Sequence, residues 1–286
     1  MDQGRPLGGA AMTRDEVRRM VLGGMLLCLL PAMARAQATQ QFEPQFAQPG
    51  KDVVWVPTPE AMVDVMLDMA KVTAADVVVD LGSGDGRLVI AAARRGARAR
   101  GVEFNPEMVL LSRQRARAAD VYGRATFVEG DMFDADIADA TVMVVFLLTD
   151  NMRRLQTKFL SLRPGTRIVS KTFGIPEWPA DERVTRADCT AWCTALLWVV
   201  PARVHGDWQV EGGPVLRLDQ HFQKLSGMLT GPIGSSTIQG GAITGPAIAF
   251  TIGDAAVAAR LEGDRLVGTR TEAGRSSPWQ ATRLER

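Results

Sequence analysis

The chain has 286 residues, 46% hydrophobic and 23% charged, enough to bury a sizeable core in one large or two small domains. A net charge of +1 gives no electrostatic case for nucleic acid or an acidic membrane surface. The basic runs RRGARAR (94–100) and RQRAR (113–117) fall on or beside predicted helices and read as solvated faces.

In chain order, Arg18 and Arg19 precede the apolar run MVLGGMLLCLL (20–30), and PAMARA places Ala34 and Ala36 before Gln37. A basic region, a short apolar core and a small-residue cleavage site predict a signal peptide over 1–36 and an exported, periplasmic or envelope-associated protein. Possible membrane association then runs only through this N-terminal segment. The alternative is an uncleaved anchor, although the apolar core is shorter than the ~20 residues of a spanning helix. Met12 is a candidate start, the paired arginines loosely resemble a twin-arginine signal, and Leu27 before Cys28 does not suit a lipoprotein site.

Residues 37–52 read as an extended lead-in. PEAMVDVMLDMAKV (59–72) puts Val63, Met66, Leu67 and Ala70 on one helical face. VVVDL (77–81) is a buried strand, Gly86 to Arg95 a helix, and ARGVEF (99–104) a second strand. Asn105 caps a helix that Pro106 opens and that runs to about Ala119. ATFVE (125–129), ATVMVVF (140–146) and RIVSKTF (167–173) are further strands, with a helix between the last two from about Asn151 to Leu162. The alternation predicts an α/β fold, a parallel sheet covered by helices on both faces.

ERVTRAD (182–188) and TALLWVV (194–200) read as paired strands closing a sheet edge. Beyond residue 201 glycine-rich turns separate six short alternating segments, at 215–222, 224–230, 247–252, 255–261, 264–270 and 278–284. They predict a small antiparallel β domain over 201–286, as a sheet, sandwich or open barrel. Trp208 and Trp279 are expected as core anchors. Cys189 and Cys193 can bridge only across a turn, since four strand positions span roughly 13 Å. With His205 and His221 at no useful spacing, no metal site is expected.

The chemistry sits in VVVDLGSGDGRLVIAAA (77–93). A strand that runs through Gly82, Gly84 and Gly86 into a helix bares its backbone to a ligand and offers it the helix N-terminus. The third glycine comes one residue earlier than in the dinucleotide pattern Gly-x-Gly-x-x-Gly, which disfavours flavin or nicotinamide. Glu103 ends the second strand, where its oxygens can accept from ribose hydroxyls, and Phe104 offers a purine a flat face. Asp131 follows the third strand and can accept from an adenine amino group, with the Met132 N–H near a ring nitrogen. Acids at the ends of three successive strands favour a cationic adenosine ligand.

These motifs, Asp80-Leu-Gly-Ser-Gly-Asp-Gly86, Gly101-Val-Glu103 and Glu129-Gly-Asp131, resemble those of class I S-adenosylmethionine-dependent methyltransferases, with a Rossmann-like sheet over 53–200. VPTPEAMVDVML, GVEFNPEMV, FLLTDNMRRL and RPGTRIVSKTFGIPEWPAD resemble the group containing the mitochondrial lysine methyltransferases of the ATP synthase c subunit and the adenine nucleotide translocase, and exported bacterial relatives. The resemblance implies that Gly82 and Gly84 pass beneath S-adenosylmethionine. It places Asp80 and Asp85 near the methionine amino end, Glu103 on the ribose, Asp131 on the adenine, and Thr58 with Pro57 closing the methionine side. It also implies a protein amine, most directly lysine, as acceptor. Phe146-Leu-Leu-Thr-Asp-Asn151 departs from the Asn/Asp-Pro-Pro-aromatic segment of adenine-directed enzymes and weighs against DNA adenine. Asp150, then Asn151, are the substrate-side catalytic candidates, against a reading as helix caps. Trp178 is weighed as an apolar wall against buried packing. The competing function is an exported binding or scaffold protein with an inherited nucleoside fold and no transferase activity.

Overall fold

The computed structural model describes residues 42–189 and 191–284. The expected N-terminal export signal lies outside them. Among the described residues, no helix is long and apolar enough to cross a membrane.

The first unit alternates strand and helix: α1 (Glu60–Met69), β1 (Val77–Leu81), α2 (Arg87–Arg94), β2 (Arg98–Glu103), α3 (Pro106–Ala118), β3 (Ala125–Glu129), β4 (Val142–Val145), α4 (Thr149–Leu160) and β5 (Arg167–Lys171). β6 (Glu182–Thr185) and β7 (Thr194–Val199) complete a seven-stranded sheet of order β3-β2-β1-β4-β5-β7-β6. The first five strands are parallel, and β7 runs antiparallel between β5 and β6. β1, β4 and β5 are buried nearly throughout because helices cover both faces. Val63, Met66, Leu67 and Ala70 are all buried on one face of α1. Asn105 caps α3 by accepting from the N–H groups of Glu107 and Met108.

Asp76, just before β1, ties the lower edge of the sheet together. It accepts from Thr73 N–H and Thr141 Oγ1 and pairs with Arg167 of β5. Burial pushes its carboxyl up, but the bonds from Thr141, Thr73 and Arg167 outweigh that and hold it below the usual range.

The second unit is a closed eight-stranded antiparallel barrel, β8 (Gly206–Val210), β9 (Val215–His221), β10 (Lys224–Gly231), β11 (Gly234–Thr244), β12 (Ala247–Ile252), β13 (Ala255–Glu262), β14 (Arg265–Glu272) and β15 (Arg275–Arg283). All six expected segments are strands. β8 and β11 are additional, and they supply the pairings that close a barrel where an open sheet was also compatible with the sequence. β11 hides its alternation behind Gly240 and Gly241, where its register against β10 and β12 shifts. A Cβ at Gly241 would lie 2.4 Å from the Leu225 carbonyl oxygen, so this bend admits only glycine. Side chains fill the interior: Trp208 is fully buried, with Nε1–H donating to Val204 O, and Trp279 packs edge-on against Phe250.

The barrel docks on the α/β unit through Phe222, stacked on Trp178 at 5.7 Å, and through Gln223, which donates to Pro179 O. Trp178 is 1% exposed and its carbonyl accepts from Trp198 Nε1, so it packs the core rather than walling the site.

The Asp76→Asn variant should lose roughly 2–4 kcal/mol of unfolding free energy at neutral pH, the cost of stripping Arg167 of its charged partner. Because this carboxyl is held low, its stabilisation is full above the ordinary carboxylate range and is lost as pH falls through its folded value. Denaturant unfolding across pH should therefore show the two proteins converging in acid.

Candidate active site

Parallel pairing aligns the carboxyl ends of the strands. Asp80 of β1 sits opposite Gly101 of β2 and Val144 of β4, and Glu103 sits opposite Glu129 of β3. Asp80, Glu103 and Asp131 consequently line one cavity of about 320 Å³, with the glycine loop as its floor. The extended segment before α1 forms its roof: Lys51, Val54, Trp55, Pro57 and Thr58 all line it.

The loop is folded by its backbone. Gly82 and Ser83 donate to Val102 O, and Gly82, Gly84 and Gly86 all take positive φ. A Cβ at Gly82 would meet only Leu147, at 3.3 Å, leaving that peptide open to the cavity. The expectation of bare backbone needs correction at Gly84, where a Cβ would lie 2.8 Å from Trp55 Nε1, so the Trp55 ring already covers it. Gly86 and Gly101 are packing glycines, pressed on Phe127 and Ser83. The Glu103 carboxylate accepts from Gly84 N–H at 2.8 Å and Asn105 N–H at 2.9 Å, so each oxygen is aimed by a backbone donor.

The other acids differ in state. Asp80 is 2% exposed, and burial, then Glu103 and Asp85, push its carboxyl well above the ordinary range. Asp85 is already neutralised. Burial pushes it up, yet pairing with Arg87 and Arg115 holds it low. Asp85 lines the cavity with its carboxylate already engaged by two guanidinium groups, and Arg115, read as part of a solvated basic face, reaches inward. Asp131 pairs with Lys51, whose ammonium lies 5.0 Å from the Phe104 ring. Phe104 is exposed, Met132 is buried, and both line the cavity. Thr58 is buried and its carbonyl accepts from Arg87 Nη1.

Asp150 and Asn151 occupy the first turn of α4, outside the cavity lining. Asp150 points to solvent and pairs with Arg153 at 2.5 Å, while Asn151 is buried. Neither caps the helix, which starts at Thr149 behind Leu148.

Opposite the acids the wall is aromatic: Phe146, Phe173 and Trp192. Phe146 and Phe173 stack at 6.2 Å, and Trp192 tilts against Phe146 at 6.2 Å. Trp192 stands in a loop closed by the Cys189–Cys193 disulfide, with Cα atoms 5.5 Å apart. Sequence reasoning passed over Lys51, Trp55, Arg87, Lys171 and Trp192. Trp55, in VVWVPT, was visible as an aromatic beside the threonine assigned to the site. The others are single residues whose meaning depends on what lies across the cavity.

A family model for the ANTKMT methyltransferase domain matches residues 80–182. A protein-lysine N-methyltransferase of Saccharolobus islandicus is 42% identical over 52% of this chain and 94% of its own length. The mouse lysine N-methyltransferase of the ATP synthase c subunit is 40% identical, the match covering 40% of this chain and about half (47%) of the mouse protein. A solved Salinibacter ruber structure, described as an RNA methyltransferase in complex with S-adenosyl-L-homocysteine, is 42% identical with TM-score 0.50, over 52% of this chain and 96% of that one.

Fold and site define a class I S-adenosylmethionine-dependent methyltransferase. The chain belongs to the group of these enzymes that includes the lysine methyltransferases of the ATP synthase c subunit and of the adenine nucleotide translocase. The residues present fit the cofactor: an open peptide at Gly82, a carboxylate aimed by two N–H groups at Glu103, and three acids around one cavity for a cationic ligand.

Since burial, then Glu103 and Asp85, raise the Asp80 carboxyl above its value in the unfolded chain, its contribution to stability falls as pH rises above the ordinary carboxylate range. Asp80→Asn should therefore melt above wild type at pH 8 and level with it near pH 4 by calorimetry. The same variant should bind S-adenosylhomocysteine at least tenfold more weakly in calorimetric titration. Glu103→Ala should weaken that binding by about tenfold or more without raising the melting temperature.

Proposed function

We propose that the chain transfers methyl groups from S-adenosylmethionine to a lysine amine of a protein. The observation that carries this is the 42% identity to the archaeal protein-lysine N-methyltransferase across 94% of that protein. The aromatic wall supports it, because an alkylammonium is attracted to ring faces.

In this reading Glu103 holds the ribose hydroxyls and Asp131, after exchanging Lys51, holds the adenine amino group beside the Met132 N–H and the Phe104 ring. Asp80 meets the methionine ammonium, Gly82 runs beneath the cofactor while Gly84, under Trp55, fixes the loop through Glu103, and Thr58 with Pro57 closes its methionine side. Asp85 acts indirectly, by fixing Arg87 against Thr58. The bound cofactor supplies an electrophilic methyl on a cationic sulfonium, and its departure as a neutral thioether needs no acid. The protein's work is alignment of amine and methyl, exclusion of water by the segment before α1, and removal of the amine's proton. Export of the chain to the cell envelope is part of the proposal and rests on the N-terminal segment alone.

A second reading, an RNA acceptor, is favoured by the description of the Salinibacter structure. A net charge of +1 supplies little of the phosphate attraction such a substrate demands.

Tritiated S-adenosylmethionine, the full chain, and either envelope protein or total RNA from cells lacking the gene separate the readings. Label in protein, located by mass spectrometry as mono-, di- or trimethyl-lysine, is expected. Label confined to RNA, or binding without transfer, would overturn the lysine assignment.

A further inference from the structure

Lys171, the last residue of β5, is fully buried, and its Nζ has no hydrogen-bond partner among the described residues. It lies 4.1 Å from the centroid of Phe146 and 5.8 Å from that of Trp192, two of the rings that line the cavity. An amine satisfied only by ring faces is costly to bury, so its retention here calls for a reason.

The backbone around it is forced into place. Thr172 takes φ 67°, a rare conformation for a β-branched residue, while Phe173 N–H donates to Lys171 O across it. The buried Thr172 hydroxyl is unpartnered as well. Trp192 takes φ 54° inside its disulfide loop. Two unfavourable conformations thus flank this amine, one setting Phe173 against Phe146 and one setting Trp192 near Lys171 Nζ, and strain of this kind gathers at working sites.

The charged group acting on Lys171 is Arg87 of α2, already paired with Asp85 and Glu60. Three of the cavity's acids are engaged elsewhere, Glu103 with two backbone N–H groups, Asp85 with its arginines and Asp131 with Lys51, while Asp80 is unpaired among the described residues and its carboxyl is pushed up by burial. Resting on the lysine-acceptor reading, we infer that Lys171 is the proton partner of the methyl-accepting amine. An acceptor amine that reaches the Phe146 and Trp192 rings shares one proton with Lys171 Nζ, which touches those rings but does not itself line the cavity. When the proton rests on Lys171 Nζ, the acceptor nitrogen has a free lone pair. That pair forms the new N–CH₃ bond as the C–S bond breaks and its electrons stay on sulfur. The methylated product leaves as an ammonium, and Lys171 returns its proton to water. Burial, then Arg87, push the Lys171 pKa down to about 8, so it is part-neutral near neutral pH and able to receive a proton.

The test uses the full chain labelled with ¹³C-lysine, which carries five lysines, with Lys171 assigned by comparison with K171R. In the cofactor-free protein, Lys171 should titrate near pH 8. Methyl transfer to the envelope protein fraction should fall about a hundredfold at pH 8 in both K171M and K171R, because arginine keeps the charge but cannot take a proton. The deficit should shrink to within about tenfold at pH 10, where a free lysine, of pKa about 10.4, sheds its own proton. S-adenosylhomocysteine affinity should stay within about twofold in both variants. A Lys171 that titrates near 10, or K171R with wild-type rate and pH profile, would overturn this inference alone. Methyl groups found on Lys171 would do so too, by making it the acceptor. A wild-type chain that methylates RNA but no amine overturns the acceptor reading and this inference with it, whatever the titration shows.

Discussion

A single carboxylate organises the cofactor end of the site. Glu103 reaches from the end of β2 to the Gly84 N–H in the loop that follows β1, and also to its own chain at Asn105. This clamp holds a loop that has almost no side chains with which to hold itself, while Val102 O secures the two preceding N–H groups. The loop keeps its left-handed glycines in register with β2 because both anchors come from that one strand end. Remove the carboxylate and the bare peptide at Gly82 has no fixed direction to offer a ligand.

Around that clamp, buried charge is handled in three ways. Asp76 is satisfied by a network that joins β1, β4 and β5. Asp85 is neutralised by Arg87 and Arg115, and so braces α2, α3 and the roof residue Thr58. Asp80 has neither solution, and its surroundings push its carboxyl well above the ordinary range. An acid left in that condition, on a cavity wall, becomes favourable when a cationic ligand arrives, so stability forgone in the empty fold is recovered on binding.

The segment before α1 and the aromatic wall flank the crevice above the glycine loop. Trp55 lies on Gly84 and Lys51 on Asp131, so residues outside the α/β alternation form the roof. The barrel stands behind this arrangement, docked through Phe222 and Gln223 onto the segment that follows β5. Its interior is packed with side chains around Trp208, Phe250 and Trp279.

The α/β unit was legible because its strands are continuous apolar runs and its helices show clear periodicity, with Asn105-Pro106 marking a helix start. Asp80, Glu103 and Asp131 were legible together because each ends or follows a strand, and parallel topology brings strand ends to one rim. The barrel's closure was not, since β11 breaks its alternation at Gly240 and Gly241 and closure is a property of the last pairing, not of any strand. Asp150 attracted attention by its position after β4, yet which way a side chain leaves the first turn of a helix is set by what α4 packs on. The chain alone thus determined the sheet, the glycine loop and the acids, all encoded by local spacing. The tertiary structure decided which glycine faces are bare, which acids are already paired, and that Lys171 lies among aromatic rings, because each of these depends on residues far apart in sequence meeting across a cavity.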